Sequence, residues 1–246
     1  MEINTAVIFA GGKGTRFLEQ TRLIPKPMIQ ANNLPLVVHI INHYENYGVN
    51  NFIVLTGYKK ESFNEYFENN DVYKKLEANQ FTNNNNSTIN LLDTGEETLT
   101  GGRLKIALNT FELDNFFLTY GDGISNVNLD KLKEFHFRQD TIATLTAVNP
   151  PPRFGNLEIE DNHVTLMQEK SDLKPQWING GFFVMSNKII NYLKKDEPME
   201  QEPLKNLVND KQLSAYKHEG YWQCVDTIRE LEILENDLIE KKELFK

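Results

Sequence analysis

Apolar and polar positions along the chain fall into a repeating order. Residues 5–10 (TAVIFA) form an apolar, partly β-branched run that stops at Gly11-Gly12, and residues 51–56 (NFIVLT) form another that stops at Gly57. Residues 116–120 (FFLTY) end at Gly121-Asp122-Gly123, and residues 142–148 (IATLTAV) end at Asn149-Pro150. Short apolar runs bounded by turn residues read as buried strands running into loops. Segments 35–47, 59–68 and 129–139 read as helices between them; in the last, Leu129, Leu132 and Phe135 recur at helical spacing. Strand, loop and helix in alternation predict an α/β fold whose core is a mostly parallel sheet wrapped by helices. Ligands of such sheets bind beyond the carboxyl ends of the strands, where this order puts Gly11-Gly12 and Asp122.

The second half has shorter periods. Strands at 156–160, 164–168 and 182–185 and a helix at 187–195 predict a smaller antiparallel layer added to the first. Residues 227–244 carry an apolar stripe of Ile228, Leu231, Ile233, Leu234, Leu238 and Ile239, which predicts a terminal helix docked on its own domain. Residues 82–87 (TNNNNS) read as a mobile loop tip. No linker or repeat divides the chain, so one domain is expected over residues 1–246, with a first part at about 1–125, a second at about 126–226 and the C-terminal helix at about 227–244.

Composition narrows the function classes. With 35 acidic against 26 basic residues and a net charge of −9, the chain lacks the electrostatic footprint of a nucleic-acid binder. No stretch reaches the roughly 20 apolar residues of a membrane span, so no membrane partner is expected. Residues 1–9 lack the basic start and apolar core of a secretory signal, which leaves the cytoplasm as the expected compartment. The single cysteine, Cys224, excludes an internal disulfide, and the five scattered histidines form no zinc-ligand spacing. An anionic ligand therefore has to be held where Lys, Arg and exposed backbone amides gather.

Two such places stand close together. Residues 10–16 (AGGKGTR) follow a strand, and glycines there can turn several backbone N–H groups inward as an anion nest, with Lys13 and Arg16 adding charge. The spacing is neither the dinucleotide fingerprint, whose third glycine position holds Phe17, nor a Walker loop. An ordinary strand-to-helix turn is the competing reading. Downstream, Ile24-Pro25-Lys26-Pro27-Met28 sets a lysine between two prolines, which fix the backbone from which the ammonium projects.

The pairing of GGxGTR with PKPM resembles the sugar-phosphate nucleotidyltransferases, and within them the glucose-1-phosphate cytidylyltransferases. The resemblance extends through LTGGRLK at 99–105, TYGDGISNVN at 119–128, PPPRFG at 150–155 and QEK at 168–170. It continues through INGGFFV at 178–184, EQEPL at 200–204 and GYWQCVDT at 220–227. It implies a Rossmann-like nucleotidyltransferase fold and an in-line attack of a sugar phosphate on the α-phosphorus of a nucleotide, most closely CTP with glucose 1-phosphate, with Mg²⁺ as cofactor. By the same match Asp122 and Asp226 are expected to ligate Mg²⁺, and Arg16, Lys26 and Asp122 to carry the catalysis. For Asp226 alone, before Thr227, helix capping would be the competing reading. The nucleotide is expected on Phe9, Ala10, Gly11, Gly12, Lys13, Gly14, Thr15, Arg16, Lys26, Thr98, Arg103 and Gly121. The sugar phosphate is expected on Gly155, Glu169, Lys170, Asn179 and Gly180.

The resemblance implies that base choice rests on Arg103, in Leu-Thr-Gly-Gly-Arg, which matches the position used by the cytidylyl members. A guanidinium only donates hydrogen bonds, which suits the N3 and O2 acceptors of cytosine and opposes the N3–H of uracil and thymine. Departures from the family pattern bear on the acceptor. The VHH...EPW stretch is absent, Ile24 stands where lysine is usual, Pro152 stands where glycine is usual, and Cys224-Val225 replaces a Pro-Met pair. UTP or dTTP as donor, another phosphorylated sugar or polyol as acceptor, and a catalytically silent nucleotide-sensing scaffold are the alternatives. The family also implies a homo-oligomer.

Overall fold

A computed structural model describes residues 2–14, 24–150, 155–169 and 176–245. The chain opens with β1 (Thr5–Phe9), continues through a one-turn 3₁₀ segment (Lys26–Met28) and a small ribbon, β2 (Gln30–Ala31) and β3 (Leu34–Pro35), into helix α1 (Leu36–Glu45). Strand β4 (Asn51–Thr56) and helix α2 (Glu61–Glu68) follow, then β5 (Tyr73–Glu77), β6 (Gln80–Asn83), β7 (Thr88–Asp93) and helix α3 (Thr100–Thr110). Next come β8 (Asn115–Tyr120), β9 (Gly123–Ser125), helix α4 (Leu129–Gln139), β10 (Ala143–Val148), and a ribbon of β11 (Asn156–Glu160) and β12 (His163–Gln168). The chain closes with β13 (Ile178–Ser186), a 3₁₀ helix (Asn187–Tyr192), helix α5 (Glu202–Asn209), β14 (Leu213–His218), β15 (Trp222–Cys224) and helix α6 (Ile228–Glu240).

Nine strands form the main sheet in the order β14-β10-β13-β8-β1-β4-β7-β6-β5. Antiparallel pairing is confined to the two sides of β13 and of β6, so seven of the nine strands point the same way. β1 is central and buried along its whole length, with β4 and β8 parallel on either side. Its alternating side chains feed two cores. Ala6 and Ile8 pack with Phe52, Val54 and Phe117 beneath α1, while Val7 and Phe9 pack with Ile53, Leu55, Phe116 and Leu118 beneath α3 and α5. Burial on both faces is why these strands read as continuous apolar runs. Phe9 lies level with Leu55 and Tyr120, and Thr56 with Asp93, so β1, β4, β7 and β8 end on one rim.

The α/β class and the mostly parallel sheet agree with expectation, and several local assignments are corrected. The strand expected at 182–185 runs from Ile178 to Ser186 inside the main sheet, between β8 and β10, while the strands expected at 156–160 and 164–168 pair with each other as a separate antiparallel ribbon, β11–β12. The helix expected at 187–195 is a 3₁₀ segment whose first turn is capped by the Ser186 side chain. The asparagine tract is not a loose tip. Asn83 Oδ1 accepts from Asn85 N at 3.1 Å and Ser87 N at 3.0 Å, and its Nδ2 donates to Glu45 at 2.6 Å. An asparagine side chain that satisfies its own turn closes the β6–β7 hairpin. The terminal helix docks on its own domain through Leu231 and Leu234, while Asn32 donates to Glu235. Among the described residues no helix is long and apolar enough to cross a membrane.

The β11–β12 ribbon has a regular amphipathic pattern. Leu157 sits opposite Met167 and, past a bulge, Ile159 sits opposite Val164, which puts four apolar side chains on one face. They are 53%, 69%, 63% and 57% exposed respectively. Glu158, Glu160 and His163 occupy the other face together with Leu166, which sits opposite Glu158.

Asn83→Ala is expected to destabilise the protein by about 1–3 kcal/mol, because it orphans two turn N–H groups and leaves the Glu45 carboxylate with Asn85 as its amide donor, whereas the exposed Asn84→Ala stays within about 0.5 kcal/mol. Urea titration of both variants checks this; equal effects would restore the loose-tip reading.

Candidate active site

The rim formed by the strand ends borders a cleft of about 350 Å³. Phe9 to Gly12 and Gly14 enter it from the loop after β1, Thr98 to Thr100 and Arg103 from the start of α3, and Tyr120 to Asp122 from the end of β8. Lys26, Pro27 and Asp226 complete the wall.

Arg103 holds this rim together. It is only 3% exposed, and its Nη2 donates to Gly11 O at 2.9 Å and Glu96 O at 3.2 Å. Its Nη1 donates to Thr56 O at 3.0 Å and to the Thr94 hydroxyl at 2.5 Å. The guanidinium fills space that side chains at two glycines would need. A Cβ on Gly11 would lie 2.1 Å from Nη1, and one on Gly57 would lie 2.5 Å from it. Burial draws the Arg103 pKa below the usual arginine value, and the charges of Asp196 and Asp93 oppose that loss. Beside it, the Thr98 hydroxyl donates to Thr94 O at 2.6 Å.

Lys26 and two aspartates form the charged centre. The 3₁₀ turn after Pro25 buries Lys26 to 7% exposure. Its Nζ lies 2.6 Å from Asp122 Oδ2 and 2.6 Å from Asp226 Oδ1. Burial opposes the charge on Lys26, but the Asp122 carboxylate, together with the hydrogen bonds that the ammonium donates to both aspartates, outweighs it and raises the ammonium pKa above the usual lysine value.

The two aspartates, distant in sequence, meet because β9 pairs antiparallel with β15 and Val225 N donates to Asp122 O at 3.0 Å. The cap of α6 is Thr227, whose hydroxyl accepts from Glu230 N at 3.2 Å, while Glu230 accepts from Asp226 N at 2.8 Å. This is close to a capping box. The Asp226 carboxylate is thus turned to the cleft, and helix capping, the competing reading for this residue, falls to its neighbour.

The donor set fits a small hard divalent cation. The oxygens of Asp122 and Asp226 and the sulfur of Cys224 lie within 4.8 Å of one another, and both carboxylates already converge on one cationic nitrogen. Mg²⁺ favours one or two carboxylates with phosphate oxygens and water. The Cys224 thiol is a poor partner for it, since burial first, then Asp122, raises the thiol pKa and holds it protonated.

Not every expected residue reaches the cleft. Thr15, Arg16 and Lys170 lie outside the described residues. Lys13 stands at the rim and pairs with Glu97 and, at 3.8 Å, with Glu96. On the sugar side, Gly155, Glu169 and Asn179 are exposed and Gly180 is buried, and none of the four lines the cleft. Gly180 O accepts from Trp222 Nε1 at 2.8 Å, and Asn179 Oδ1 accepts from Gly181 N at 2.9 Å.

The sequence reading passed over Tyr120. Its ring stacks on Phe9 at 5.7 Å and its hydroxyl donates to Glu200 at 2.5 Å, with Thr100 donating to the same carboxylate. Burial and the neighbouring Glu200 charge raise the phenol pKa, so it stays a donor. In the sequence, the signal for Glu200 is the EQEPL segment at 200–204.

A mostly parallel sheet whose carboxyl rim borders a cleft holding Lys26, Arg103 and a converging carboxylate pair is the arrangement of a phosphate-handling α/β transferase. Residues 5–241 match the nucleotidyl transferase family model, and the chain belongs to that family. It is 41% identical over 240 residues to the probable glucose-1-phosphate cytidylyltransferase of Bacillus subtilis (strain 168), covering 92% of each chain. It is 39% identical over 241 residues to the glucose-1-phosphate cytidylyltransferase of Salmonella typhi, covering 94% of each. Among solved structures, HddC from Yersinia pseudotuberculosis superposes with a TM-score of 0.72 at 24% identity, covering 96% of this chain and 100% of that one, a likeness of fold.

Arg103→Met is expected to cost at least about 3 kcal/mol, because the carbonyls of Gly11 and Thr56 lose a buried charged donor together. Denaturant unfolding checks it; a loss under about 1 kcal/mol would mean that water takes over the clamp.

Proposed function

We propose that this protein transfers CMP from CTP to glucose 1-phosphate, giving CDP-glucose and pyrophosphate. The observation that carries the reading is the buried Lys26 between Asp122 and Asp226 in the wall of a cleft of about 350 Å³, in a chain 41% and 39% identical to cytidylyltransferases over nearly its whole length. An acceptor phosphate oxygen forms a bond to the α-phosphorus while the bond from that phosphorus to the β-phosphate oxygen breaks, and pyrophosphate leaves. Mg²⁺ bound to Asp122 and Asp226 would neutralise phosphate charge along this path. Lys26 and Arg16 take up charge on the α-phosphate and the leaving group, and the backbone at Gly12, where nothing lies within 4 Å of a would-be Cβ, leaves room for the triphosphate.

Base choice in this reading falls to Arg103. Its weakest rim bond, 3.2 Å to Glu96 O, is the one to be exchanged for the cytosine edge, with Thr98 alongside. Tyr120 and Glu200 shape the acceptor end. A hydroxyl donor shared with a carboxylate suits sugar hydroxyls, and a pocket built this way rejects analogues lacking them.

Pyrophosphate release from a matrix of nucleoside triphosphates against several sugar phosphates tests the whole reading. Release confined to CTP with glucose 1-phosphate is expected. CTP with a different acceptor would keep the mechanism and replace the sugar, while silence with every pair would leave a nucleotide-sensing scaffold. Asp122→Asn should abolish turnover, and near-normal activity at saturating magnesium would take Asp122 out of its role. Arg103→Lys should erode the preference for CTP over UTP in the folded fraction; an unchanged preference moves base reading elsewhere.

The open apolar face of the β11–β12 ribbon supports a homo-oligomer. A two-stranded ribbon is marginal alone. Its face of Leu157, Ile159, Val164 and Met167 carries no charge, so two copies of a chain with net charge −9 can meet there without like-charge contact, leaving Glu158 and Glu160 to water. Light scattering is expected to give a multiple of 28.5 kDa that collapses in an Ile159→Lys, Met167→Lys double variant. A wild-type protein running only as the single chain would refute it.

A further inference from the structure

We propose that Lys26 is a stand-in for the divalent cation: its ammonium occupies the Asp122–Asp226 pair until a triphosphate offers it phosphate oxygens, so that metal enters with the nucleotide and not ahead of it. The inference rests on reading the two aspartates as the metal carboxylates and adds an order of events that their identity alone does not contain.

Three features on the page lead there. Both carboxylate oxygens lie 2.6 Å from the same Nζ, so the ammonium sits where a shared metal ion would have to bind. The backbones that carry the two carboxylates are tied in place. Asp122 is held through its carbonyl to Val225 N, and Asp226 through its N–H to Glu230, so opening the pair to a cation means moving the lysine head. The lysine also has somewhere to go, because its side chain lines the same cleft as Gly11 and Gly12, where a triphosphate would lie.

The energetics favour exchange over simple displacement. Expelling a buried ammonium from its partners with no replacement leaves an unpaired charge, which is strongly unfavourable. A triphosphate removes that penalty, since Lys26 trades carboxylate oxygens for phosphate oxygens as the divalent ion takes the carboxylates. Metal and nucleotide are thus coupled through one side chain, and the coupling is reciprocal. When pyrophosphate leaves, Lys26 would return to the aspartates and close the pair to a bound cation.

Mn²⁺ binding to the nucleotide-free, full-length protein, read from the electron paramagnetic resonance signal of free Mn²⁺, tests the idea without reference to turnover. Lys26→Gln is expected to tighten Mn²⁺ binding at least about tenfold, as removal of a charge a few ångströms from the site implies, while the charge-conserving Lys26→Arg stays as weak as wild type. Lys26→Gln binding no tighter than wild type would overturn the proposal. Tight binding that survives in Lys26→Gln with Asp122→Asn would instead overturn the metal-site reading beneath it. In the wild-type protein, the side-chain ¹⁵N ammonium resonance of Lys26 should be unmoved by millimolar Mg²⁺ alone and shift when a non-hydrolysable CTP analogue is added with it. A shift by Mg²⁺ alone would overturn the stand-in role even if the Lys26→Gln protein failed to fold.

Discussion

The cleft depends on keeping the carboxyl ends of parallel strands in register where the ladder of backbone hydrogen bonds stops. There Gly11 O accepts from Tyr58 N and Thr56 O from Thr94 N, and one further donor is shared between the strand ends. Arg103 reaches from α3 to the backbone after β1, at the end of β4 and beyond β7. A guanidinium suits this task because it offers several N–H groups in a planar fork. Gly11 and Gly57 then follow as a spatial requirement, since the clamp occupies the volume of their missing side chains. Loops pinned to one cation present their amides in a fixed pattern, which is the precondition for recognising phosphate by backbone.

The second organising contact is the short β9–β15 pairing. Three residue pairs bring Gly-Asp-Gly against the segment that ends in Asp226, and the carboxylates it places face each other across Lys26. The site therefore draws on the first strand, the middle of the sheet and the last loop before the terminal helix. Both cores of the sheet have to be in place before it exists.

The parts of this architecture legible in the sequence are those where burial is two-sided. β1, β4, β8 and β10 announce themselves as apolar runs ending in turn residues, and the glycine loop with Pro-Lys-Pro marks the phosphate end. What escaped was one-sided or polar. β7 (TINLLD) buries only alternate residues, and β14 (LSAYKH) is half exposed, so neither looks like a core strand. The asparagine tract resembles disorder by composition, yet Asn83 spends its side chain on its own turn. Tyr120 and Glu200 meet across 80 residues of sequence, and no local pattern joins them. The clamp made by Arg103 was equally hidden, since a motif names the residue without its acceptors.

Glu230 links the terminal helix to the site. It accepts the Asp226 backbone N–H, while Leu231 and Leu234, with Leu238 partly buried beside them, dock the helix and Ile228, Ile233 and Ile239 stay about half-exposed. A helix with so little apolar burial is a candidate for opening as a local unit well below the free energy that unfolds the sheet. Each opening would release one of the two carboxylates facing Lys26. The midpoint for loss of the assembled site would then come before the melting of the fold, and a ligand that binds across the cleft would act as a tether for the C-terminus.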